Sequence, residues 1–285
     1  MEEQSLQAII DEIWPRLKKK HLYPEIPMPR AGEVADPVQS DAEQNVGEST
    51  LREGVGLEMK QKQMTINPTF ISQMKDKMPE KQVIEALLDH GITHYTFCPW
   101  DFHTHLMLYA EAKKVMGDKT FAKQVANYFI DVIADTHCVK KKFTGIPELH
   151  RYLKKGMVEE VIASLYQKIW GIDLGIPPSR VSRKKHEEVV RRLARIPYLD
   201  RSRWPESIQK FARSLKPFLF EEQKEQENKG GKGSSNPQGD HDLTHYSYEE
   251  IDQGLRDYVK KTMALSEFRE VIGDFSDELK EAGYG

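Results

Sequence analysis

The sequence predicts a mostly α-helical (α+β) protein in which a short strand or small sheet precedes a buried helix. Two observations support this fold class. Apolar residues recur at helical spacing over most of the chain, whereas residues 61–67, QKQMTIN, have the pattern of a strand that Pro68 stops. Hydrophobic residues make up 38% and charged residues 31%, which is enough apolar material for a core in part of the chain.

The helices are predicted from amphipathic patterns and from residues that favour helix ends. The first, at 3–20, closes on three consecutive lysines, which suit a helix C-terminus. A helix at 79–97 starts with Pro79 and Glu80, both favoured in a first turn, and CPWD ends it. Further helices are predicted at about 104–116, 119–139, 146–154, 157–170, 182–195, 205–220, 247–265 and 266–282.

Composition divides the chain into four segments. Residues 1–58 form an N-terminal helix followed by a proline-rich, irregular arm. Residues 59–220 form a helical domain that contains the candidate site. Residues 221–245 have almost no apolar side chain and are predicted to be a flexible linker, and 246–285 form a C-terminal helix pair.

Several classes of protein are excluded or not favoured by composition. No stretch approaches 18 consecutive apolar residues, and the acidic start lacks the pattern of a signal peptide. The two cysteines cannot form a disulfide framework, so we expect a cytoplasmic protein with reduced thiols and no membrane contact.

Charge is distributed unevenly along the chain. Residues 138–220 carry a net charge of +11, although the whole chain carries −3. The basic stretch 179–203 is interpreted as a solvated helix face, with polyanion binding as the alternative. Nucleic-acid binding is not favoured, because no zinc finger, helix-turn-helix or RNA-recognition pattern accompanies the basic residues.

Two pairs of polar residues point to a metal site. His90 and His94 lie four residues apart on a predicted helix, so their imidazoles lie on one face, at a separation suited to two ligands of one metal ion. Asp131 and Asp135 have the same spacing on a second, otherwise apolar helix. Ionised carboxylates on a core-facing helix are costly unless they are paired or bind a metal.

These residues resemble the gluzincin type of zinc metallopeptidase, whose pattern is HExxH on one helix and ExxAD on a later one. HGITH at 90–94 and DVIAD at 131–135 are the matching segments, and the resemblance covers roughly residues 60–140. It implies one Zn²⁺ bound by His90, His94 and Asp131, and it implies that Asp135 holds a ligand imidazole through its ring N–H.

One departure from this pattern bears on catalysis. Gly91 stands where the family has the glutamate that accepts a proton from zinc-bound water, and losing a general base typically removes about 10²–10⁴ of rate. We expect feeble or absent peptidase activity, and we expect Gly91→Glu to place a carboxylate beside the zinc-bound water. His103 and His105 are weaker candidates for stabilising the transition state or, with Cys98, His137 and Cys138, for a second metal site.

The resulting functional prediction is a zinc-dependent, metallopeptidase-like protein that hydrolyses peptide bonds, impaired by the missing glutamate. The alternative is a catalytically inactive metal-binding scaffold or interaction protein with a peptide or protein partner. A polyanion-binding adaptor that uses residues 179–203 is the third interpretation.

Overall fold

The computed structural model of the chain describes residues 5–22, 24–32, 54–58, 62–153, 155–176, 183–228, 248–262 and 265–274, together with 276 and 280. The predicted class is confirmed, because the described chain is mostly helical with one small sheet. The helices are α1 (Leu6–Lys20), α2 (Pro68–Met74), α3 (Glu80–Thr96), α4 (Phe102–Met116), α5 (Lys119–Lys140), α6 (Gly145–Tyr152), α7 (Met157–Trp170), α8 (Arg183–Leu193), α9 (Trp204–Asn228), α10 (Tyr248–Thr262) and α11 (Leu265–Asp274), with a 3₁₀ turn at Arg201–Arg203.

The sheet has three short strands, β1 (Arg30–Ala31), β2 (Val55–Glu58) and β3 (Gln63–Ile66). β3 lies in the centre, parallel to β1 and antiparallel to β2. The prediction of an irregular arm at 24–58 is therefore wrong for β1 and β2, while residues 33–53 lie outside the described residues. β1 and β2 lie in a proline-rich segment with few large apolar residues, whose composition favours irregular structure, and they are strands because they pair with β3.

Helix α3 is the centre of the fold. All residues from Ala86 to Tyr95 are buried, which is the pattern of a helix covered on every side. It packs against α1, α2, α5, α6 and the sheet. The helix ends after Thr96, and the turn that follows leads to Asp101, whose carboxylate accepts a hydrogen bond from the Thr104 N–H and begins α4.

The remaining helices surround this centre. α4 lies between α5, α9 and α10, and α5 also contacts α7. The C-terminal helix pair is anchored to α4, since the Asp274 carboxylate accepts hydrogen bonds from the Tyr109 hydroxyl at 2.6 Å and from the Lys113 ammonium at 2.8 Å.

Helix α9 is longer than its predicted bounds of 205–220. It continues to Asn228, so the first part of the segment predicted as a flexible linker is helical. The residues concerned, EEQKEQEN, include several glutamates and glutamines that have good helix propensity, which outweighs their lack of apolar surface. The rest of that predicted linker lies outside the described residues.

Candidate metal centre

Two buried helices bring the candidate ligands together. His90 and His94 project from α3 towards α5, where Asp131 faces them. One ligand atom from each of the three residues lies within 4.8 Å of the other two. The His90 and His94 side chains are almost fully buried, whereas Asp131 is 13% exposed, so the centre is closed towards α3 and more open on the Asp131 side.

The separations of the three atoms suit a small divalent cation. The two Nε2 atoms are 2.9 Å apart, and Asp131 Oδ1 is 3.9 Å from His90 Nε2 and 3.6 Å from His94 Nε2. Tetrahedral zinc with bonds of about 2.0–2.1 Å holds its ligand atoms about 3.3 Å apart. The observed separations lie on both sides of this value, so small side-chain movements would complete the geometry.

The hydrogen bonds behind the two imidazoles fix their tautomers. His90 Nδ1 lies 2.7 Å from Asp135 Oδ1, and His94 Nδ1 lies 2.9 Å from the carbonyl oxygen of Cys98. An ionised carboxylate and a carbonyl only accept hydrogen bonds, so each Nδ1 carries the hydrogen and donates it. When both rings are neutral, their Nε2 lone pairs lie 2.9 Å apart beside Asp131, in positions from which they could bind one cation together.

Asp135 is held by three donors. Its carboxylate lies 2.7 Å from His90 Nδ1, 2.8 Å from His150 Nε2 of α6 and 2.9 Å from the Tyr166 hydroxyl of α7. Burial by itself raises the pKa of Asp135, but the His90 and His150 imidazoles outweigh it and lower that pKa below its ordinary value. Burial and the adjacent carboxylate raise the pKa of Tyr166 well above its usual range, so its hydroxyl remains a donor.

Position 91 is packed against the sheet. A Cβ atom added to Gly91 would lie 2.8 Å from Met64 Sδ and 2.9 Å from Leu57 Cδ2, both buried side chains of the sheet. Glycine therefore permits close packing of α3 on the strands. The expectation that Gly91→Glu sets a carboxylate beside a metal-bound water stays a prediction, with the added requirement that the side chain displaces this packing.

The weaker candidates lie outside the centre. Neither His103 nor His105 belongs to it, and the described part of the chain contains no second group of three or more candidate ligands at metal-binding distances. Burial raises the pKa of both the Cys98 and the Cys138 thiol well above the usual value, so the thiolate form that binds metals is disfavoured. His137 instead stacks on Phe97, with ring centroids 3.8 Å apart.

Sequence reasoning missed the groups that support the ligands from other helices. His150 and Tyr166 lie on α6 and α7, and no spacing rule relates them to the histidines of α3. The Cys98 carbonyl is a backbone group, which no residue type can indicate. One signal was present in the sequence: His150 and Tyr166 are polar residues within amphipathic helices, where buried polar groups require partners.

Comparisons with protein-family models, with curated proteins and with solved structures found no match for this chain. Among the described residues, no helix is long and apolar enough to cross a lipid bilayer. The function must therefore be inferred from the geometry of the centre itself.

Proposed function

We propose that His90, His94 and Asp131 bind one zinc ion and that the protein is a zinc-dependent, metallopeptidase-like hydrolase of peptide bonds. The observation that carries the proposal is the convergence of two Nε2 lone pairs and one carboxylate oxygen, each imidazole being oriented by an acceptor at Nδ1. Two imidazoles and one carboxylate are a common ligand set of catalytic zinc sites, in which the fourth position is left to water or substrate.

The protein groups have distinct roles in this proposal. Bound zinc supplies a water whose pKa is about 7 and polarises a substrate carbonyl. Asp135 orients His90 and increases its basicity, while His150 and Tyr166 hold Asp135 in turn. The more exposed side, at Asp131, is the side from which a substrate would approach.

A second candidate function is a metal-binding scaffold without catalysis. It is favoured by one specific observation, the packing of Met64 and Leu57 against Gly91, where the resembled peptidases carry their general base. In this case the ion would connect α3 to α5 and stabilise the fold, because a metal that binds only the folded state adds its binding energy to stability.

Hydrolysis of an unfolded protein separates the two functions. The zinc-loaded protein should cleave casein slowly, because the general base is missing, and a chelator should stop the cleavage. Asp131→Ala should abolish it, whereas Glu148→Gln, a partly exposed change on α6, should leave it intact. A zinc-loaded protein that cleaves neither casein nor a peptide library, but that zinc still stabilises against heat, would favour the scaffold.

A further inference from the structure

A cationic side chain lies in an aromatic cradle just beyond the end of α3. The Arg201 guanidinium lies 4.3 Å from the ring centre of Trp100, 4.5 Å from that of Phe97 and 6.0 Å from that of Trp204. Its Nη2 atom donates a hydrogen bond of 3.3 Å to the Phe97 carbonyl oxygen. The rings hold the guanidinium in one orientation before any ligand arrives, which lowers the entropic cost of binding.

The charge of Arg201 has no acidic partner among the residues that the structure describes. Arginines elsewhere, such as Arg16 and Arg151, form ion pairs with neighbouring glutamates. The carboxylate next in sequence, Asp200, is instead engaged by Ser202, whose hydroxyl donates to it at 2.6 Å and whose N–H donates at 3.2 Å. Four of the five guanidinium N–H groups therefore remain for a ligand.

Other positive charges reinforce this site. Lys140 and Lys141, at the end of α5, are exposed and form no ion pair within the described part of the chain. His137 lies between these lysines and Arg201. Burial, followed by Lys141 and Arg201, lowers the pKa of His137 to about 4, so the imidazole is neutral at pH 7. The charges of Lys141 and Arg201 thus add to the effect of burial at His137.

An apolar pocket adjoins the cationic site. Its volume is about 280 Å³, close to the lower end of the range for small-molecule sites. Two of its lining residues are chain neighbours of the Arg201 site: Asp200 directly precedes Arg201, and Thr136 directly precedes His137, whose ring stacks on Phe97. The lining is mainly aliphatic and aromatic and includes Thr136, Ile169, Ala194, Ile196, Tyr198 and Asp200.

We propose that Arg201 and the adjoining pocket bind a small carboxylic acid with an apolar or aromatic body, either free or as the C-terminal end of a peptide. The guanidinium pairs with the carboxylate through parallel N–H···O bonds, and the body of the ligand fills the pocket. This proposal does not depend on hydrolysis at the metal centre.

The test follows the isoleucine δ1 methyl groups by NMR, because Ile169 and Ile196 line the pocket. The probe is 3-phenylpropionate, with its neutral isostere 3-phenylpropanamide and with acetate as comparisons. As the acid is added, the chemical shifts of both methyl signals should change until they reach a plateau. The same change should be seen with zinc present and with a chelator present. The amide and acetate should each bind at least tenfold more weakly.

Variants separate the charge from the pocket. Arg201→Met should weaken binding of the acid at least tenfold and leave binding of the amide unchanged. Arg201→Lys should retain part of the affinity for the acid. Ala194→Leu, which fills the pocket, should weaken binding of both the acid and the amide. Arg203→Met is the matched control, since Arg203 lies in the same 3₁₀ turn but contacts Glu206, and it should change nothing. Equal binding of acid and amide, or an Arg201→Met variant with unchanged affinity, would overturn the proposal.

A peptide probe identifies the source of the carboxylate. If Ala-Ala-Phe shifts the same methyl signals and its C-terminal amide does not, the ligand is the end of a chain. If only 3-phenylpropionate binds, the ligand is a small free acid. Methyl signals that move with none of these probes would contradict the pocket assignment itself.

Discussion

Two buried polar clusters lie side by side on α3, and they are neutralised differently. Asp89 is 1% exposed, and its carboxylate lies 2.5 Å from the Lys20 ammonium and 2.8 Å from His21 Nε2. One residue later, His90 belongs to a cluster in which two imidazoles and the Asp131 carboxylate converge closely enough to hold a metal ion. The first cluster is neutralised by other side chains of the chain, whereas the second could hold a metal ion.

A third cluster is completed by a proton. Glu222 of α9 is partly buried near Glu159, and its carboxylate accepts a hydrogen bond from the Met157 N–H at 2.8 Å. Burial, then the Glu159 carboxylate, raises the pKa of Glu222 to about 7. The cost of burying a carboxylate is thus offset by a lysine at Asp89 and by a proton at Glu222, and we propose that a metal ion has this role beside His90.

The largest effect is expected when the Asp89 cluster loses its charge. Asp89→Asn leaves Lys20 and His21 without their buried partner and should lower the free energy of unfolding by about 3 kcal/mol. Glu12→Gln is the matched control, because Glu12 pairs with Lys81 across the same α1–α3 contact but about half exposed, and it should cost less than about 1 kcal/mol. Urea unfolding of the metal-free variants measures both. Equal losses would show that burial does not distinguish the two pairs.

A smaller effect is expected where the sheet meets the metal-site helix. Gly91→Ala gains helix propensity of up to about 1 kcal/mol, but the added Cβ collides with Met64 and Leu57, which should produce a net loss of about 2 kcal/mol. Gly273→Ala on α11 is the control, because a Cβ there meets no atom within 4 Å. Thermal unfolding should show opposite signs for the two variants, and a stabilised Gly91→Ala would contradict the packing described.

The smallest effect concerns the cluster that a proton completes. The folded-state pKa of Glu222, about 7, lies above its ordinary value of 4.5, so the folded protein binds this proton more tightly than the unfolded chain. Stability from this group is complete below pH 4.5 and is lost as pH rises through 7. The measured quantity is the free energy of unfolding of Glu222→Gln minus that of the parent. Allowing for partial exposure, this difference should be about 1 kcal/mol more favourable to the variant at pH 8 than at pH 4.5. The comparison is made by urea unfolding at both pH values, and a pH-independent difference would refute the raised pKa.

Local features of both fold and site could be predicted from the sequence. The helix that carries His90 and His94 and the helix that carries Asp131 and Asp135 follow from apolar periodicity, and the four-residue spacings indicate which side chains share a face. The strand predicted at 61–67 is present at Gln63–Ile66, and Pro68 marks its end. Each of these signals lies within a few residues of chain.

Features that depend on contacts between distant segments could not be predicted. His150 and Tyr166 reach Asp135 only because α6 and α7 pack beside α5. The direction of position 91 depends on where the sheet lies, and Arg201 meets Phe97 across more than one hundred residues of sequence. No periodicity contains this information.

We propose that His90, His94 and Asp131 bind one zinc ion. Zinc content after dialysis against a zinc buffer, measured by mass spectrometry, tests it most directly. The parent protein should hold about one zinc per chain, and at a zinc concentration 1,000 times the Kd it should gain about 4 kcal/mol of stability. The double variant His90→Ala with His94→Ala should lose the zinc. The matched control, His103→Ala with His105→Ala, should keep it. Asp131→Ala, at the more exposed ligand, should also lose most of it while remaining folded. A parent protein without zinc, or a His90→Ala and His94→Ala variant that still holds one zinc per chain, would contradict the account.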